Sequence, residues 1–271
     1  MATTIGGHFN SKSILLLRFP TKIGGFGTCI VNGDMSNSIL HRTKSAPPVT
    51  MAAFLSSCRW TQSLSPEELQ RIALEMIERN VPAGGYVCRK GEAVESWIGV
   101  MDGLVKMSNL SAGGKLTTLT GVPPGGWFGE GSLLKDEKRK YDILALRDSR
   151  IAYMPRATFN RLLDTSLGFN RFLLVQLNER LGQFITLVEG ERLLEPDARV
   201  ARSLSLLFNP VLYPGLGRQI QVSQEEIGFL SGVSRQRVNQ ALQVLENAGV
   251  LRVEYGGVTV LDLPGLQEFG G

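Results

Sequence analysis

Histidine is almost missing from this chain: two occur in 271 residues, His8 and His41, and no position beyond 41 carries an imidazole. The commonest acid-base side chain is therefore absent from most of the sequence. Cysteine is scarce as well. Cys29, Cys58 and Cys88 stand far apart with no Cys-x-x-Cys pair, which excludes zinc-ribbon spacing and a clustered iron-sulfur ligand set. Three unpatterned thiols suit a reducing compartment, so a cytoplasmic location is expected. With no Ser/His/Asp order, no phosphate loop ending in Lys and no metal-ligand run, the chain is read as a non-enzyme. Apolar runs are short: Ile14 to Leu17 is cut off by Arg18 and Pro20, far below the ~18 to 20 residues that span a bilayer, and no membrane partner is expected.

Acids are rare at one end. The first fifty residues hold Lys12, Arg18, Lys22, Arg42 and Lys44 against the single acid Asp34, in a Gly/Ser/Thr/Asn-rich setting. Residues 1–50 are read as a disordered or non-native extension, with Met51 a candidate start. The same composition fits a transit peptide or a flexible arm. Over the whole chain 29 Lys and Arg face 25 Asp and Glu, a net charge of +4. That suits an anionic partner, but beyond Pro196 the arginines are balanced by Asp197, Glu225, Glu226, Glu246 and Glu254. Binding to DNA must be argued from where the charges stand.

Three textures follow. From Ala52 to about Asn80 apolar residues recur at helical steps, opened by Ser65-Pro66-Glu67-Glu68, a capping box with proline at the first helical position. From Gly84 to Met154 short Val/Ile/Leu/Thr runs are broken by Gly84-Gly85, Gly91, Asp102-Gly103, Gly113-Gly114 and Pro123-Pro124-Gly125-Gly126, the signature of many short strands in an all-β barrel or sandwich. Helical periodicity returns from Arg156 to Glu195. There Leu177, Leu181, Phe184 and Val188 follow at steps of four, three and four, a heptad seam for a homodimer interface or, more simply, a face packed on the chain's own barrel.

The most informative stretch runs from Ser223 to Leu242. Ser223 with Glu226 makes a capping box, Gly228 is small where a second helix must cross, Gly232 supplies a tight turn and Ser234 caps the next helix. This is the pattern of a helix-turn-helix. Arg235, Gln236, Arg237, Asn239 and Gln240 then occupy the exposed start of its second helix, where Arg can grip guanine and Gln or Asn adenine in the major groove of double-stranded DNA. Gly256-Gly257 between Leu251–Tyr255 and Val258–Leu261 signals a hairpin wing. Arg252 or Tyr255 could meet phosphate there, or the wing could merely cover the core.

A β-roll, a long helix and a winged helix-turn-helix in this order resemble the Crp/Fnr family over roughly Ala52 to Asp262. Phe128-Gly129-Glu130 with Leu133-Leu134, Arg139, and Gln224-Glu-Glu-Ile-Gly with Gly-Val-Ser-Arg235 carry the likeness. The resemblance implies an α+β chain with a cyclic-nucleotide-binding-like sensor roll preceded by a helix at 51–160, a dimerisation helix at 161–195 and a DNA-binding domain at 196–271. It also implies a homodimeric transcription activator or repressor, with RNA polymerase as a partner through the Pro210–Gly217 loop. The alternative is a cyclic-nucleotide-binding module acting through protein partners. In cyclic AMP-binding members the equivalents of Gly129 and Glu130 hold the sugar and an Arg-Ser pair holds the phosphate. Here Arg139 is followed by Lys140, expected as a second anion contact, and by the bulky Tyr141. The purine-binding Thr-Ser of the long helix is replaced by Phe184 and Ile185, with Thr186 one place late. The expected effector is therefore a cyclic nucleotide or another small anion, in a roll not tuned to cyclic AMP. The cysteine cluster of the iron-sulfur members and the proximal histidine of the haem members are absent.

Overall fold

The computed structural model describes Leu15–Pro20, Phe26–Val31 and residues 49–270, apart from 111–115, Leu194 and Gly215. It divides into two units, Met1–Pro48 and Val49–Gly271. The first unit contains β1 (Leu15–Pro20) paired antiparallel with β2 (Phe26–Val31). The stretch read as a disordered or non-native extension thus contains a paired ribbon, and the rest of it up to Pro48 lies outside the described residues.

The second unit opens with α1 (Met51–Ser57) and α2 (Pro66–Glu75). Eight strands of a roll follow: β3 (Ile77–Val81), β4 (Tyr86–Cys88), β5 (Ser96–Asp102), β6 (Val105–Leu110), β7 (Leu116–Val122), β8 (Trp127–Phe128), β9 (Asp142–Ala145) and β10 (Ser149–Pro155). They form two four-stranded sheets, ordered β3-β10-β5-β8 and β4-β9-β6-β7. The short helix α3 (Glu130–Leu134) interrupts the strands after β8.

The expected helix from Ala52 to Asn80 is broken by this sheet. Met76 is already extended, with ψ 144°, and Ile77–Val81 pairs along β10 from Tyr153 to Ser149. Four of the five side chains of β3 are exposed, so ladder hydrogen bonds rather than an apolar face hold the strand, and a helical spacing of apolar residues upstream does not reveal where it stops.

Two helices rather than one span the next region: α4 (Arg156–Thr165) and α5 (Leu167–Leu193). They separate at Ser166, whose hydroxyl accepts the Phe169 N–H at 3.2 Å. The break turns Phe169 into the roll's aromatic core, where Trp60, Trp97, Trp127, Phe159 and Phe169 lie with ring centroids 4.3–5.7 Å apart. The third region holds α6 (Pro196–Leu206), β11 (Gln219–Gln221), α7 (Gln224–Ser231), α8 (Arg235–Asn247), β12 (Leu251–Glu254), β13 (Gly257–Val260) and α9 (Leu263–Gln267). Leu204, Ile227, Val238, Leu242, Leu245 and Leu251 share its core. The wing gains a strand not foreseen, because β11 pairs with β13 on the side away from β12.

Candidate functional site

The helix-turn-helix is built by its caps. Ser223 Oγ accepts the Glu226 N–H at 3.2 Å, and the Glu226 carboxylate accepts the Ser223 N–H at 2.6 Å. Two of the first-turn amides of α7 are thereby satisfied. Gly232 ends α7 at φ 67°, a left-handed conformation that favours glycine, and Ser234 Oγ accepts the Arg237 N–H at 3.3 Å to start α8. A methyl group on Gly228 would come within 2.9 Å of the Val233 carbonyl, so the close crossing requires glycine there.

Burial of Val238, Ala241, Leu242 and Leu245 turns the opposite face of α8 outward. Arg235, Gln236, Asn239 and Gln240 are exposed on it. The five expected readers are not equally free, however. Arg237 pairs with Asp197 of α6 at 2.9 Å and donates to Gln240 Oε1 at 3.1 Å, while Asn239 Oδ1 accepts from Gln224 Nε2 at 3.1 Å. Among the described residues Arg235 and Gln236 make no side-chain hydrogen bond. In the wing, Arg252 pairs with Glu254 at 3.0 Å, and Thr259 and Arg252 together hold that carboxyl below its ordinary pKa. Tyr255 stands fully exposed at the wing tip.

The second cluster lies in the roll, where β8 meets α3. Gly129 has φ 96°, and Arg139 Nη1 lies 2.5 Å from where its Cβ would stand, so conformation and space both demand glycine. Glu130 is buried and accepts Trp97 Nε1 at 3.3 Å and Arg180 Nε at 3.1 Å. Burial opposes the charge on Arg180, but the adjacent Glu130 outweighs it and the guanidinium pKa is raised. Arg180 also donates to the Trp127 carbonyl. Arg139 is buried too, with Nη2 donating to the Ser96 carbonyl at 2.9 Å. Nη1 of Arg139 and Nη1 of Arg180 have no hydrogen-bond partner among the described residues. Buried cationic donors of this kind are rarely left unpaired. Burial, reinforced by the Glu130 charge, pushes the neighbouring Tyr141 hydroxyl well above its ordinary pKa.

Gly129, Glu130 and Arg139 therefore come together as expected. Lys140 does not join them: its ammonium is exposed and pairs with Glu137 at 2.7 Å. Arg180 was missed. Its signal was the polar row Gln176, Arg180, Gln183 at steps of four and three, all buried, on the side of α5 away from the exposed Leu174 and Leu181.

The four residues of the expected seam do not share one exposed face. Leu181 and Val188 are exposed, but Phe184 packs on the roll core and Leu177 is half-buried. Leu167, Leu174 and Ile185 are exposed instead, and 167, 174, 181 and 188 are successive heptad positions. Thr186, in the register that could have rescued a purine contact, lines a separate cleft with Glu179 and Arg202 between α5 and α6.

Residues 78–166 match the model of the cyclic nucleotide-binding domain, and residues 198–269 that of the Crp-like helix-turn-helix domain. The chain is 30% identical over 206 residues to a cyclic AMP receptor protein of Thermus thermophilus, covering 76% of this chain and 93% of that protein. It is 29% identical over 170 residues to the transcriptional regulator SdrP of the same organism, covering 62% and 81%. In fold it is similar to FixK2 of Bradyrhizobium japonicum, with a TM-score of 0.56 at 18% identity over 72% of this chain and 98% of that one. The roll with its glycine-glutamate turn, the capped helix-turn-helix and these matches lead to one conclusion: the chain belongs to the Crp/Fnr family of DNA-binding transcription regulators.

Proposed function

We propose that this regulator acts as a homodimer that reads a two-fold symmetric operator, with Arg235 and Gln236 of α8 as its principal base readers. The observation that carries the reading is the start of α8, where these two side chains alone among the five candidates are exposed and uncommitted. Arg237 and Asn239, tied to Asp197 and Gln224, set the position of the helix, and Ser223 and Ser234 present helix N-termini to the DNA backbone. The exposed heptad face of α5 supplies the dimer seam through Leu174, Leu181, Ile185 and Val188. Selection of duplexes from a random library by wild-type protein and by Arg235→Ala tests this. The variant should lose discrimination at one position of each half-site, by about 1 to 3 kcal/mol. Undiminished discrimination overturns the assignment.

The effector of the roll is a small anion seated against the unpartnered amino groups of Arg139 and Arg180. A relative bears the name of cyclic AMP receptor, but Phe184, packed on the roll, and Ile185, exposed, are hydrocarbon side chains with no hydrogen bond to offer a purine. An RNA polymerase contact at the Pro210–Gly217 loop would use its outer edge, because Leu212 and Tyr213 are buried against the roll.

A further inference from the structure

The cleft between α5 and α6 is part of neither the roll cluster nor the helix-turn-helix. It has a volume of about 710 Å³ and is walled by Glu179, Gly182 and Gln183 of α5, Arg202 of α6, Asn209 beyond α6 and Glu268 beyond α9. Glu179 and Gln183 stand two positions either side of Leu181. At about 3.6 residues per turn this sets them on the side of α5 away from that exposed leucine, so the cleft and the exposed heptad face are separate features of one helix.

Two features point to a ligand. The first is Gln183, which is 4% exposed. Its Nε2 donates to the Leu206 carbonyl at 3.3 Å, which fixes the orientation of the amide, and its Oε1 has no hydrogen-bond partner among the described residues. Buried acceptors are normally paired. The second is Gly182, in the interior of the 27-residue α5. Glycine destabilises a helix interior relative to alanine, yet a Cβ on Gly182 would meet nothing within 4 Å. Among the described residues no atom demands a glycine there. What it provides is bare backbone on the cleft wall, which lets a ligand lie close.

The charges select the kind of ligand. Asn209 Nδ2 donates to Glu179 Oε2 at 3.1 Å, and the other carboxylate oxygen is free to accept. Arg202 is half-buried, and its guanidinium makes no hydrogen bond or ion pair among the described residues. Glu268 is exposed. A guanidinium takes a carboxylate through two parallel hydrogen bonds, while the oxygens of Glu179 and Gln183 accept as an ammonium requires. Two carboxylates against one guanidinium leave the lining one negative charge, which repels phosphates and favours a second cationic group.

We propose that this cleft binds a free basic amino acid, with its carboxylate on Arg202, its α-ammonium between Glu179 and Gln183 Oε1, its backbone against Gly182 and its side-chain cation towards Glu268. Calorimetry on the full chain with L-lysine tests this and should show saturable binding with a Kd below about 1 mM. Lysinamide, which lacks the carboxylate, and Nα-acetyl-lysine, which lacks the α-ammonium, should each bind about ten-fold or more weakly. Arg202→Gln and Glu179→Gln should weaken L-lysine to the same extent, the second retaining an acceptor for Asn209, with circular dichroism melts reporting that the folds are kept. Gly182→Ala separates ligand from scaffold: it should raise the melting temperature and still weaken L-lysine by about ten-fold or more. Absence of L-lysine binding to the wild type overturns the site, and lysinamide binding as tightly as L-lysine overturns the ligand class. A Gly182→Ala chain that binds L-lysine like the wild type also overturns the proposal. So does one that light scattering shows to have changed from dimer to monomer, which would assign the glycine to a contact between copies.

Discussion

Replacing Arg180 by Met should destabilise the roll severely, and replacing Glu130 by Gln in the same chain should restore much of the loss. The two side chains are 9% and 3% exposed and 3.1 Å apart. Removing the guanidinium leaves a buried carboxylate with the Trp97 N–H as its remaining side-chain donor. Breaking a buried ion pair from one side costs about 3 to 5 kcal/mol, and a single neutral hydrogen bond offsets about 1 kcal/mol of such a penalty. The glutamine introduced by Glu130→Gln carries no charge and still accepts from Trp97, so the double variant should be more stable than Arg180→Met alone by about 2 kcal/mol. Urea unfolding followed by tryptophan emission is the direct assay, because all three tryptophans, Trp60, Trp97 and Trp127, lie in one cluster around this pair. A loss below about 1 kcal/mol for Arg180→Met, or a double variant no more stable than the single, would refute the account of a buried, charge-paired Glu130 and Arg180.

Further expectations concern assembly, ligand and chemistry. Leu181→Asp with Ile185→Asp should convert a dimer to a monomer in light scattering at micromolar concentration, since each apolar side chain of the seam contributes ~1 to 2 kcal/mol when covered and an unpaired charge there opposes association. Phe184→Ala should instead lower roll stability and leave the dimer, and a dimer insensitive to the paired Asp substitutions would place the seam elsewhere. Calorimetry with cyclic AMP should show no micromolar binding, and Arg139→Ala should abolish any response to an anionic effector while the fold survives. Micromolar cyclic AMP binding that also strengthens DNA binding would show that a purine can be held without hydroxyls at 184 and 185. Burial pushes the Cys58 thiol up from 9.0 to about 12 and the Cys88 thiol to about 11. Both should resist a thiol reagent at pH 8 until the chain unfolds. Because their folded pKa values are raised, the stability they carry is present below pH 9 and is lost as pH climbs towards 11 to 12, which alkaline melts of Cys58→Ala against wild type would detect as a smaller decline.

The DNA-binding half of this protein was legible residue by residue. Ser223, Glu226, Gly228, Gly232 and Ser234 do their work within a few positions of one another, through caps and turns whose chemistry is local, and such rules can be read along a chain. The glycine-glutamate turn and Arg139 were legible for the same reason, since a glycine bearing positive φ leaves its mark on the sequence. What tertiary structure decided was which neighbour each face meets. Periodicity located an apolar stripe on α5 but not its rotation, because a helix with Leu on one side and a Gln176, Arg180, Gln183 row on the other can turn either face to its own roll. Only packing shows that the roll takes Gln176 and Arg180, buried against Trp127 and Glu130, and leaves Leu167, Leu174 and Leu181 exposed. The start of β3, the withdrawal of Lys140 and the commitment of Arg237 to Asp197 have the same origin. Each depends on a partner far away in sequence, brought near by the folding of the whole chain, and no local pattern encodes the position of such a partner.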